Sequence, residues 1–370
     1  MKIVHVITGL GDGGAENTLF KVCKYDLKNK HIVISLTSSG KYFSFLKNLG
    51  IETYCLNANF FSIHKFFYLL KLLIILKPDI VQTWLIHGDL IGGIASRLVG
   101  IKKVIWNIRY TNIINFKSII LTKILSKLSY IIPKSIIAVS KSAKKNCYKL
   151  GYCREKIFLI PNGYDLKILN FKKKENLKFR KKFKIKKNVP LIGMIARFHP
   201  QKDHLTFLKA LSELKKNNIF FCILVGDNIN KNNKQLVSDI KKYNLNNFIK
   251  LLGRRKNISE IMKGIDLSIL SSSYGEGFPN VLAESMACGT PCVATNVGDA
   301  RFIVDKTGWI VPRQNVQKLA NSIEKALSEI GTKKWNKRSY QARLRIKIKF
   351  DINNMINLYN KTWNKVNKND

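Results

Sequence analysis

The chain has 370 residues, a formal net charge of +42 and 46% hydrophobic residues. This length is too great for one ordinary core, so we expect two domains. The charge favours an anionic partner, such as a nucleotide, a lipid phosphate, a membrane surface or a nucleic acid. Because Lys, Asn and Ile are abundant along the whole sequence, a biased composition accounts for part of this excess.

Cysteine spacing and hydropathy argue against several classes of protein. The seven cysteines form no Cys-x-x-Cys pair, so we predict neither a zinc site nor a disulfide framework, and a reducing cytosol fits best. The apolar run at the N-terminus is too short for a signal peptide. The longest apolar stretch, residues 60–76, is interrupted by His64, Lys65 and Lys71, which argues against a membrane-spanning helix.

The first half of the chain alternates predicted strands and helices, as parallel α/β domains do. Residues 2–8 predict a buried parallel strand, and the glycine-rich loop 9–16 leads into a helix near residue 17. This loop matches the dinucleotide-binding fingerprint only loosely, and no acidic residue ends the next strand, residues 31–36. A nicotinamide site is therefore not predicted.

Two polar residues of the first half follow predicted strands. His87 lies just past the strand 79–84, and Arg109 ends the strand 104–109. Ligands of open parallel sheets lie outside the carboxyl ends of the strands, which makes such positions candidates for binding. A histidine on a surface loop is the alternative for His87.

The second half opens with a charge-dense segment, residues 167–188, which predicts a linker with a short helix. The strand 191–197 follows, and then a proline-containing turn and an amphipathic helix from about residue 204. Arg197 and Lys202 flank that turn. Arg can grip phosphate through two hydrogen bonds and Lys acts as a point charge, so the pair suits a phosphorylated ligand.

Residues 266–295 organise the second half. An apolar strand leads into the loop Gly275–Gly277. Pro279 then allows a helix to begin, which we expect from about Asn280 to Cys288 with its end at Gly289, and another strand follows. Such a loop before a helix predicts a phosphate cradle, because its N–H groups and the helix dipole favour anions. Glu276 and Glu284 cannot bind phosphate, so we expect them to accept hydrogen bonds from sugar hydroxyls. Two incidental surface glutamates beside a Rossmann-type loop are the alternative.

This stretch resembles the paired-glutamate motif of glycosyltransferase family 4, whose members are retaining enzymes with the GT-B fold. Glu276 and Glu284 carry the resemblance, with the flanks Gly-Glu-Gly-Phe-Pro-Asn and Ala-Glu-Ser-Met-Ala-Cys-Gly-Thr-Pro-Cys-Val. Residues 82–90 resemble the histidine motif of the family, and residues 157–165 its Pro-Asn-Gly-x-Asp element. After Gly298-Asp299 the acidic residue often found in the family is absent.

The resemblance implies an α/β GT-B fold, with two Rossmann-like doubly wound domains that face each other across a cleft. We expect an acceptor-binding domain at residues 1–165, a linker at 166–188 and a nucleotide-sugar-binding domain at 189–337. The C-terminal helices, residues 338–370, are expected to pack back on the first domain.

The resemblance also implies roles for individual residues. We expect Glu284 to bind the ribose, Arg197 and Lys202 to stabilise the diphosphate, and Glu276 to hold the sugar. The candidate residues are Glu276, His87, Arg197 and Lys202 for catalysis; Glu284, Gly277, Phe278, Asn280, Val281, Leu282, Gly253 and Arg254 for donor binding; and Gly13, Gly14, Glu16 and Arg109 for an acceptor and phosphate loop.

By the same resemblance, the expected reaction moves a hexose or N-acetylhexosamine from a UDP- or GDP-linked sugar to a lipid-linked or oligosaccharide acceptor, for a surface polysaccharide such as lipopolysaccharide or capsule. No Asp-x-Asp motif suits a metal, so we expect metal-independent transfer with retention and without a further cofactor. His87 is expected to shape the pocket and not to act as an obligatory base.

A cytoplasmic protein, peripheral on the inner face of the cytoplasmic membrane, is the expected location. The helices near residues 65–77, 117–127 and 141–149 mix Lys with apolar residues, as helices that lie on membranes do. Ordinary core helices with solvated lysines give the same pattern.

Three rival functions remain open at this stage: a nucleotide-sugar epimerase of GT-B architecture, a basic nucleic-acid-binding protein, and a non-catalytic sugar-nucleotide sensor. We find no aromatic–basic platform or helix-turn-helix spacing, so no nucleic-acid partner is expected. The four intact candidates Glu276, Glu284, Arg197 and Lys202 argue against a sensor with a decayed site.

Overall fold

A computed structural model of the chain describes residues 1–58, 62–109, 116–170 and 173–368. The chain divides into two compact units. The N-terminal unit comprises Met1–Gly163 together with Ile352–Asp370, and the C-terminal unit comprises Tyr164–Asp351.

Seven parallel strands form one sheet in the described part of the N-terminal unit, in the order β3-β2-β1-β4-β5-β6-β7. Apolar β-branched residues fill the central strands, which are buried on both faces as parallel strands require. The strands are β1 Lys2–Ile7, β2 Lys30–Ser35, β3 Glu52–Cys55, β4 Ile80–Trp84, β5 Val104–Ile108, β6 Ser135–Ala138 and β7 Ile157–Leu159.

Helices cover the two faces of this sheet. A π-helical turn, Gly88–Gly92, lies between the fourth and fifth helices. The helices are α1 Gly14–Tyr25, α2 Gly40–Lys47, α3 Ile63–Leu76, α4 Leu85–His87, α5 Gly93–Leu98, α6 Phe116–Leu128 and α7 Lys141–Lys149.

The C-terminal unit contains a second parallel sheet, whose strand order within the described residues is β10-β9-β8-β11-β12-β13. Its strands are β8 Leu191–Ile195, β9 Phe221–Val225, β10 Ile249–Leu251, β11 Leu267–Leu270, β12 Cys292–Thr295 and β13 Trp309–Val311. Its helices are α8 Lys173–Lys182, α9 His204–Leu214, α10 Lys234–Lys242, α11 Ile258–Gly264, α12 Asn280–Ala287, α13 Ala300–Val304, α14 Val316–Glu329 and α15 Lys333–Lys349.

The last two helices belong to different units, which differs from the prediction for residues 338–370. Helix α15 lies in the C-terminal unit, where Arg343 donates hydrogen bonds to the carbonyls of Ala287 and Leu166. The final helix, α16 Ile352–Lys368, lies in the N-terminal unit. There the indole N–H of Trp363 donates to Gln82 at 2.6 Å. The basic composition of both helices concealed which sheet each one covers.

The predicted linker, residues 166–188, also belongs to the C-terminal unit. It contains α8, whose Phe179 is buried and lies against Gly264. Arg180 pairs with Asp266 beside the start of β11. The charge of this segment indicated a linker because these two inward-facing residues are surrounded by exposed lysines.

Among the described residues, no helix combines the length and the hydropathy needed to cross a membrane.

Candidate functional site

The C-terminal sheet has a topological switch point between β8 and β11, since the chain continues from β8 to β9 on one side and from β11 to β12 on the other. In open parallel sheets, ligands bind outside the carboxyl ends of the strands at such a point. Lys202 follows β8 and Glu276 follows β11. The fold therefore brings to one edge two residues that are far apart in sequence.

Lys202 and Glu276 form an ion pair at this edge, in which the two side chains retain only 17% and 9% of their exposure. The hydroxyl of Ser272 donates to the same carboxylate oxygen of Glu276 at 2.7 Å. A buried ion pair is tolerated where additional hydrogen bonds satisfy its partners. Two residues for which the sequence predicted separate roles thus contact each other directly.

The turn that carries Lys202 is held by the serines that follow β11. The hydroxyl of Ser271 donates to the carbonyls of Lys202 (2.9 Å) and Asp203 (3.0 Å). The backbone N–H of Ser273 donates to the carbonyl of Gln201 at 2.9 Å. The position of the Lys202 backbone is therefore set by the fold and not by the side chain alone.

Arg197 follows β8 directly and is exposed. The backbone beside it is packed against Gly226, where a Cβ atom would lie 2.1 Å from the carbonyl oxygen of Ala196. Gly226 has a φ of +152°, so only glycine fits this close approach at the end of β9. The structure thus places Arg197 at the carboxyl end of the strand that leads into the Lys202 turn.

The glycine loop before α12 is supported by the loop that follows β12. Gly298 has a φ of +58°, and a Cβ atom there would lie 2.2 Å from the carbonyl oxygen of Glu276. The N–H of Asp299 donates to the carbonyl of Gly277 at 3.0 Å. The backbone on either side of the Glu276–Gly277 peptide is therefore fixed by a direct backbone contact.

Helix α12 begins at Asn280, as predicted from Pro279, and Gly289 follows it with a φ of +79°. Its N-terminus lies beside the Glu276 loop and carries partial positive charge. Glu284 lies half-buried on this helix. The N–H of Leu282 donates to the carbonyl of Pro279 at 3.1 Å, so this predicted phosphate donor already has a partner within the first turn.

Aromatic residues anchor the start of α12. The Tyr164 hydroxyl donates to the side-chain oxygen of Asn280 at 2.5 Å, and its ring stacks on Phe278 at a centroid distance of 6.4 Å. Phe278 also contacts Phe350, at 5.4 Å. Val281 lies half-buried in the same turn. Tyr164 positions two predicted donor residues, a role that its place in the Pro-Asn-Gly-x-Asp element did not reveal.

Gly253 and Arg254 follow β10, which β9 separates from β8. Gly253 accepts a hydrogen bond from the N–H of Gly226 at 3.0 Å and so connects to the end of β9. Arg254 is exposed and lines a separate cavity of about 340 Å³ together with Lys182. Gly253 is therefore linked through Gly226 to the backbone beside Arg197, whereas Arg254 lies on the separate cavity.

His204 is a buried polar residue near the site that sequence reasoning missed. Neither ring nitrogen has a hydrogen-bond partner among the described residues. The ring lies 5.3 Å from that of Phe198. Burial, and then the charge of Lys202, lower the pKa of His204 to about 4, so the imidazole is neutral near pH 7.

The N-terminal sheet has its own switch point between β1 and β4. Leu85, directly after β4, has a φ of +69°, which is strained for a bulky residue. The π-helical turn Gly88–Gly92 follows, and the Gly88 N–H donates to the hydroxyl of Thr8 at 3.3 Å. Strained residues and π-helical turns are frequent at functional sites, and His87 lies between these two.

A cavity of about 620 Å³ opens at this edge, and His87 is among the residues that line it. Its walls come from the ends of β2 and β3, from α3, from the π-helical turn and from α6. The apolar residues of these walls include Leu36, Leu56, Phe66, Leu69, Ile91 and Leu121. The edge that carries the predicted acceptor histidine is therefore largely apolar.

The predicted acceptor and phosphate loop is occupied by its own carboxylate. A Cβ atom on Gly13 would lie 2.4 Å from a carboxylate oxygen of Glu16. Burial raises the pKa of Glu16, while a hydrogen bond from its own backbone N–H lowers it in part. Gly13 caps α1, which begins at Gly14, so Glu16 already supplies the negative charge that the start of this helix favours.

Arg109 does not lie free at the end of its strand, as its predicted role would require. Its Nε donates to Asn107 (2.8 Å), its Nη1 to Asn162 (2.5 Å) and its Nη2 to the hydroxyl of Tyr359 (2.5 Å). The guanidinium also lies 5.2 Å from the ring centroid of Trp84. Arg109 therefore connects β5 to α16 and to the end of the first segment of the N-terminal unit.

His5, Cys23 and His31 form the one group of three close potential metal ligands within the described residues. The Trp84 N–H, which can only donate, lies 3.2 Å from Nδ1 of His5. The proton of His5 is then on Nε2 and is donated to His31 at 2.9 Å, while His31 donates to Asp26 at 2.9 Å. A metal bound to Nε2 of His5 would move the His5 proton to Nδ1, where it would face the N–H of Trp84. This buried chain of hydrogen bonds therefore does not suit a metal.

Asp89 is a second buried carboxyl group that the sequence did not single out. The Thr83 hydroxyl donates to Asp89 at 2.5 Å, and the other oxygen of Asp89 has no hydrogen-bond partner among the described residues. Burial outweighs this hydrogen bond and raises the pKa of Asp89 to about 8. A mostly neutral carboxyl group therefore lies within the π-helical turn.

Comparison with protein families gives two matches that together cover most of the chain. The family model for glycosyl transferases group 1 matches residues 175–345, within the C-terminal unit. The model for glycosyltransferase family 4 matches residues 12–168, most of the first segment of the N-terminal unit.

Individual relatives agree with these families. An Escherichia coli UDP-Gal:alpha-D-GlcNAc-diphosphoundecaprenol alpha-1,3-galactosyltransferase is 29% identical over 270 residues, which are 69% of this chain and 68% of that protein. A Campylobacter jejuni GalNAc-alpha-(1->4)-GalNAc-alpha-(1->3)-diNAcBac-PP-undecaprenol alpha-1,4-N-acetyl-D-galactosaminyltransferase is 27% identical over 297 residues, 77% of each chain.

Solved structures agree on the fold. Anabaena HepE in complex with UDP superposes with a TM-score of 0.89 over 99% of this chain and all of that one, at 22% identity. A Rickettsia africae glycosyltransferase gives a TM-score of 0.87 at 25% identity, over 100% of this chain and 99% of that one. The two family models and the relatives place the chain in glycosyltransferase family 4, and the solved structures confirm the predicted two-domain α/β GT-B fold.

Proposed function

We propose that this protein is a metal-independent, retaining glycosyltransferase that moves a hexose or an N-acetylhexosamine from a UDP- or GDP-linked sugar to a lipid-diphosphate-linked saccharide in surface-polysaccharide synthesis. The observation that carries the proposal is the meeting of Lys202, Glu276 and the N-terminus of α12 at one switch point. Cation, carboxylate and helix dipole are the three features that a diphosphate with an attached sugar requires.

In this proposal the positive charge at the departing diphosphate is supplied by the protein. Lys202 is held by Glu276 and by its serine-fixed turn, and Arg197 follows the same strand. Charges that are fixed in advance stabilise a developing anion without reorganisation, which is the work a metal ion does elsewhere. The start of α12 adds its dipole.

The two glutamates accept hydrogen bonds from hydroxyl groups of the donor. Glu276 is anchored by Lys202 and Ser272, so its remaining acceptor capacity has a fixed direction toward the sugar. Glu284, half-buried further along α12, accepts from the ribose diol. The acceptor hydroxyl attacks from the face that the diphosphate leaves, and a phosphate oxygen takes its proton, which gives retention. His87 positions the acceptor in the N-terminal unit.

The lipid-linked acceptor is supported by the relatives. The Escherichia coli relative is named for a diphosphoundecaprenol substrate, and the Campylobacter relative for a PP-undecaprenol substrate. Both enzymes are similar to this chain over two thirds or more of their own length.

We further propose that the N-terminal unit binds an anionic membrane surface through α3 and α6. On α3, Phe67 is 61% and Ile75 62% exposed, and Lys71 is exposed between them. On α6, Ile124 is 45% exposed beside the exposed Lys123. Exposed apolar residues among lysines suit the headgroup region of a bilayer. The apolar residues of α7, the third predicted membrane helix, are buried or half-buried instead, so α7 is left out.

Sedimentation with vesicles tests this surface. We expect binding to vesicles that contain anionic lipid at low salt and release at high salt. The variant Ile75→Ser should bind more weakly, and Val237→Ser on α10 of the C-terminal unit, which is 38% exposed, serves as its control. Equal binding to neutral and anionic vesicles would contradict the proposal.

Transfer assays test the enzymatic proposal. Purified protein is incubated with UDP- and GDP-linked sugars and a lipid-diphosphate disaccharide, and the anomeric configuration of the product is determined by NMR. We expect retention, and we expect Lys202→Met, Glu276→Gln and Glu284→Gln each to lower kcat by about 10²-fold or more. Lys216→Met and Glu213→Gln remove an exposed ion pair at the other end of α9 and should leave kcat unchanged. An inverted product, or conversion of the donor sugar without acceptor, would contradict the assignment.

A further inference from the structure

The cavity beside His87 is lined mainly by apolar side chains, which do not offer the hydrogen-bond partners that a sugar needs. Its volume of about 620 Å³ is that of a small-molecule site. Its walls are mainly leucine, isoleucine and phenylalanine side chains, and two of them, Leu56 and Leu69, are almost completely buried. Sugar hydroxyls placed against these walls would lose their hydrogen bonds to water without replacement. The interior therefore suits an apolar ligand.

Polar side chains also line this cavity. His87 and the half-buried Lys65 contribute nitrogen atoms, and Thr8 and Thr37 contribute hydroxyls. The Thr37 hydroxyl donates to the carbonyl of Thr8 at 2.6 Å and thereby fixes the ends of β1 and β2. A lysine and several other polar groups beside an apolar lining are complementary to a ligand with an anionic head and an apolar tail.

Helix α3 connects the cavity with the exposed apolar surface of the N-terminal unit. Ile63 lines the cavity and is 71% exposed, while Phe67, one turn further, is 61% exposed. Phe66 and Leu69 face the cavity from the same helix. Apolar surface is thus continuous from the outside of α3 into the cavity, as an entry path for a lipid chain requires.

We propose that this cavity binds the first part of an isoprenoid chain that is joined to a diphosphate, namely the tail of the acceptor. The inference rests on the proposed function, because it names the part of the acceptor that this unit holds. The tail lies along Leu36, Phe66 and Ile91, and the diphosphate stays near Lys65 and His87. The tail thereby fixes the distance between the membrane-linked end of the acceptor and its sugar.

A binding experiment without any sugar transfer tests the inference. Farnesyl diphosphate, a short soluble isoprenoid diphosphate, is titrated calorimetrically into the full-length protein, with inorganic diphosphate and dodecyl phosphate as the other probes. We expect farnesyl diphosphate to bind at least about tenfold more tightly than inorganic diphosphate, with a negative heat-capacity change from apolar burial.

Two variants change the cavity, and one neighbour serves as the control. Ala58→Trp fills the space from the end of β3, and Phe66→Ser removes part of the wall; Ala58 and Phe66 are both half-buried. Each should weaken farnesyl diphosphate at least about tenfold and leave inorganic diphosphate unchanged. Tyr68→Ser, also on α3, 45% exposed and outside the cavity lining, should leave both affinities unchanged. Thermal unfolding of each variant identifies a loss of folding.

Equal affinities for farnesyl and inorganic diphosphate would overturn the inference, and so would unchanged binding of farnesyl diphosphate to a folded Ala58→Trp and a folded Phe66→Ser. Tighter binding of dodecyl phosphate than of farnesyl diphosphate would also overturn it, because it would assign the cavity to the acyl chain of a bilayer lipid. Because binding is measured without a donor, these outcomes are independent of the transfer assay. A protein that binds the tail but transfers no sugar would contradict the proposed function alone.

Discussion

The two switch points of this molecule have the same topology and opposite chemistry. In the C-terminal unit the strand ends hold a buried ion pair, a serine-fixed turn and the N-terminus of α12. In the N-terminal unit the strand ends surround an apolar cavity, and Glu16 meets the start of α1. The comparison teaches that a doubly wound sheet fixes where a ligand binds, whereas the residues after the strands decide whether that ligand is charged or apolar.

A substitution at Gly298, whose backbone contacts Glu276, should have the largest effect on the charged switch point. Gly298→Ala places a Cβ atom 2.2 Å from the Glu276 carbonyl oxygen, at a φ of +58°. We expect a loss of stability of about 3 kcal/mol or more, from the left-handed backbone and the clash together, and a loss of nucleotide binding. Urea unfolding and titration with UDP and GDP measure the two effects.

Gly331→Ala is the matched control for that substitution. Gly331 has a φ of +87°, but no atom lies within 4 Å of the Cβ position. It should cost only about 1–2 kcal/mol, from the backbone conformation, and leave nucleotide binding intact. If the two alanines cost the same, the contact between the loops contributes nothing and the description of the Glu276 loop is wrong.

The buried titratable groups of the two units predict opposite pH dependences. In the N-terminal unit the folded-state pKa of Asp89, about 8, is above its unfolded value, so the folded protein retains a proton that the unfolded chain loses. Its contribution to stability therefore falls as the pH rises from about 4 to about 8, by at most about 1.4 kcal/mol per pH unit. Asp89→Asn keeps the shape of the side chain, has no carboxyl group to ionise, and therefore removes this loss of stability at high pH.

The expected result for Asp89→Asn is a higher midpoint of thermal unfolding at pH 8 than the wild type, and a smaller difference at pH 5. The exposed Asp305, replaced by Asn, is the control. A difference that does not depend on pH would show that Asp89 is ionised in the folded protein.

His204 in the C-terminal unit makes stability depend on pH in the opposite direction to Asp89, and its expected effect at neutral pH is smaller. Its folded-state pKa of about 4 is below the unfolded value, so the unfolded chain binds a proton first as the pH falls. Stability is therefore lost below about pH 6.5, and His204→Leu should reduce the slope of the unfolding midpoint between pH 6.5 and pH 4.5. The exposed His199, replaced by Leu, should leave that slope unchanged.

Most of the fold could be predicted from the sequence, because its signals are local. Apolar runs gave the parallel strands, and Pro279 and Gly289 bracketed α12. The pairing of Lys202 with Glu276 could not be predicted, because the residues are 74 positions apart and meet only through the order of the strands. The contacts of Arg109 could not be predicted for the same reason, since Tyr359, 250 positions away, provides one of its acceptors.

The cavity could not be predicted from the sequence, because the residues that line it have the pattern of core residues. Leu56 and Leu69 have the periodicity of buried residues, and periodicity cannot distinguish a packed core from the wall of a cavity. The strained φ of Leu85 and the π-helical turn are also properties of the backbone that no residue pattern announced. The histidine motif alone indicated that this edge carries function.

The affinity for a nucleoside diphosphate, measured by calorimetry, tests the charged switch point most directly. We expect UDP or GDP to bind the wild type. Lys202→Met should bind the same nucleotide at least about tenfold more weakly, because the diphosphate loses its fixed cation, and Lys216→Met should bind it as the wild type does. An unchanged affinity in a folded Lys202→Met, or nucleotide binding that Ala58→Trp in the other unit abolishes, would contradict it.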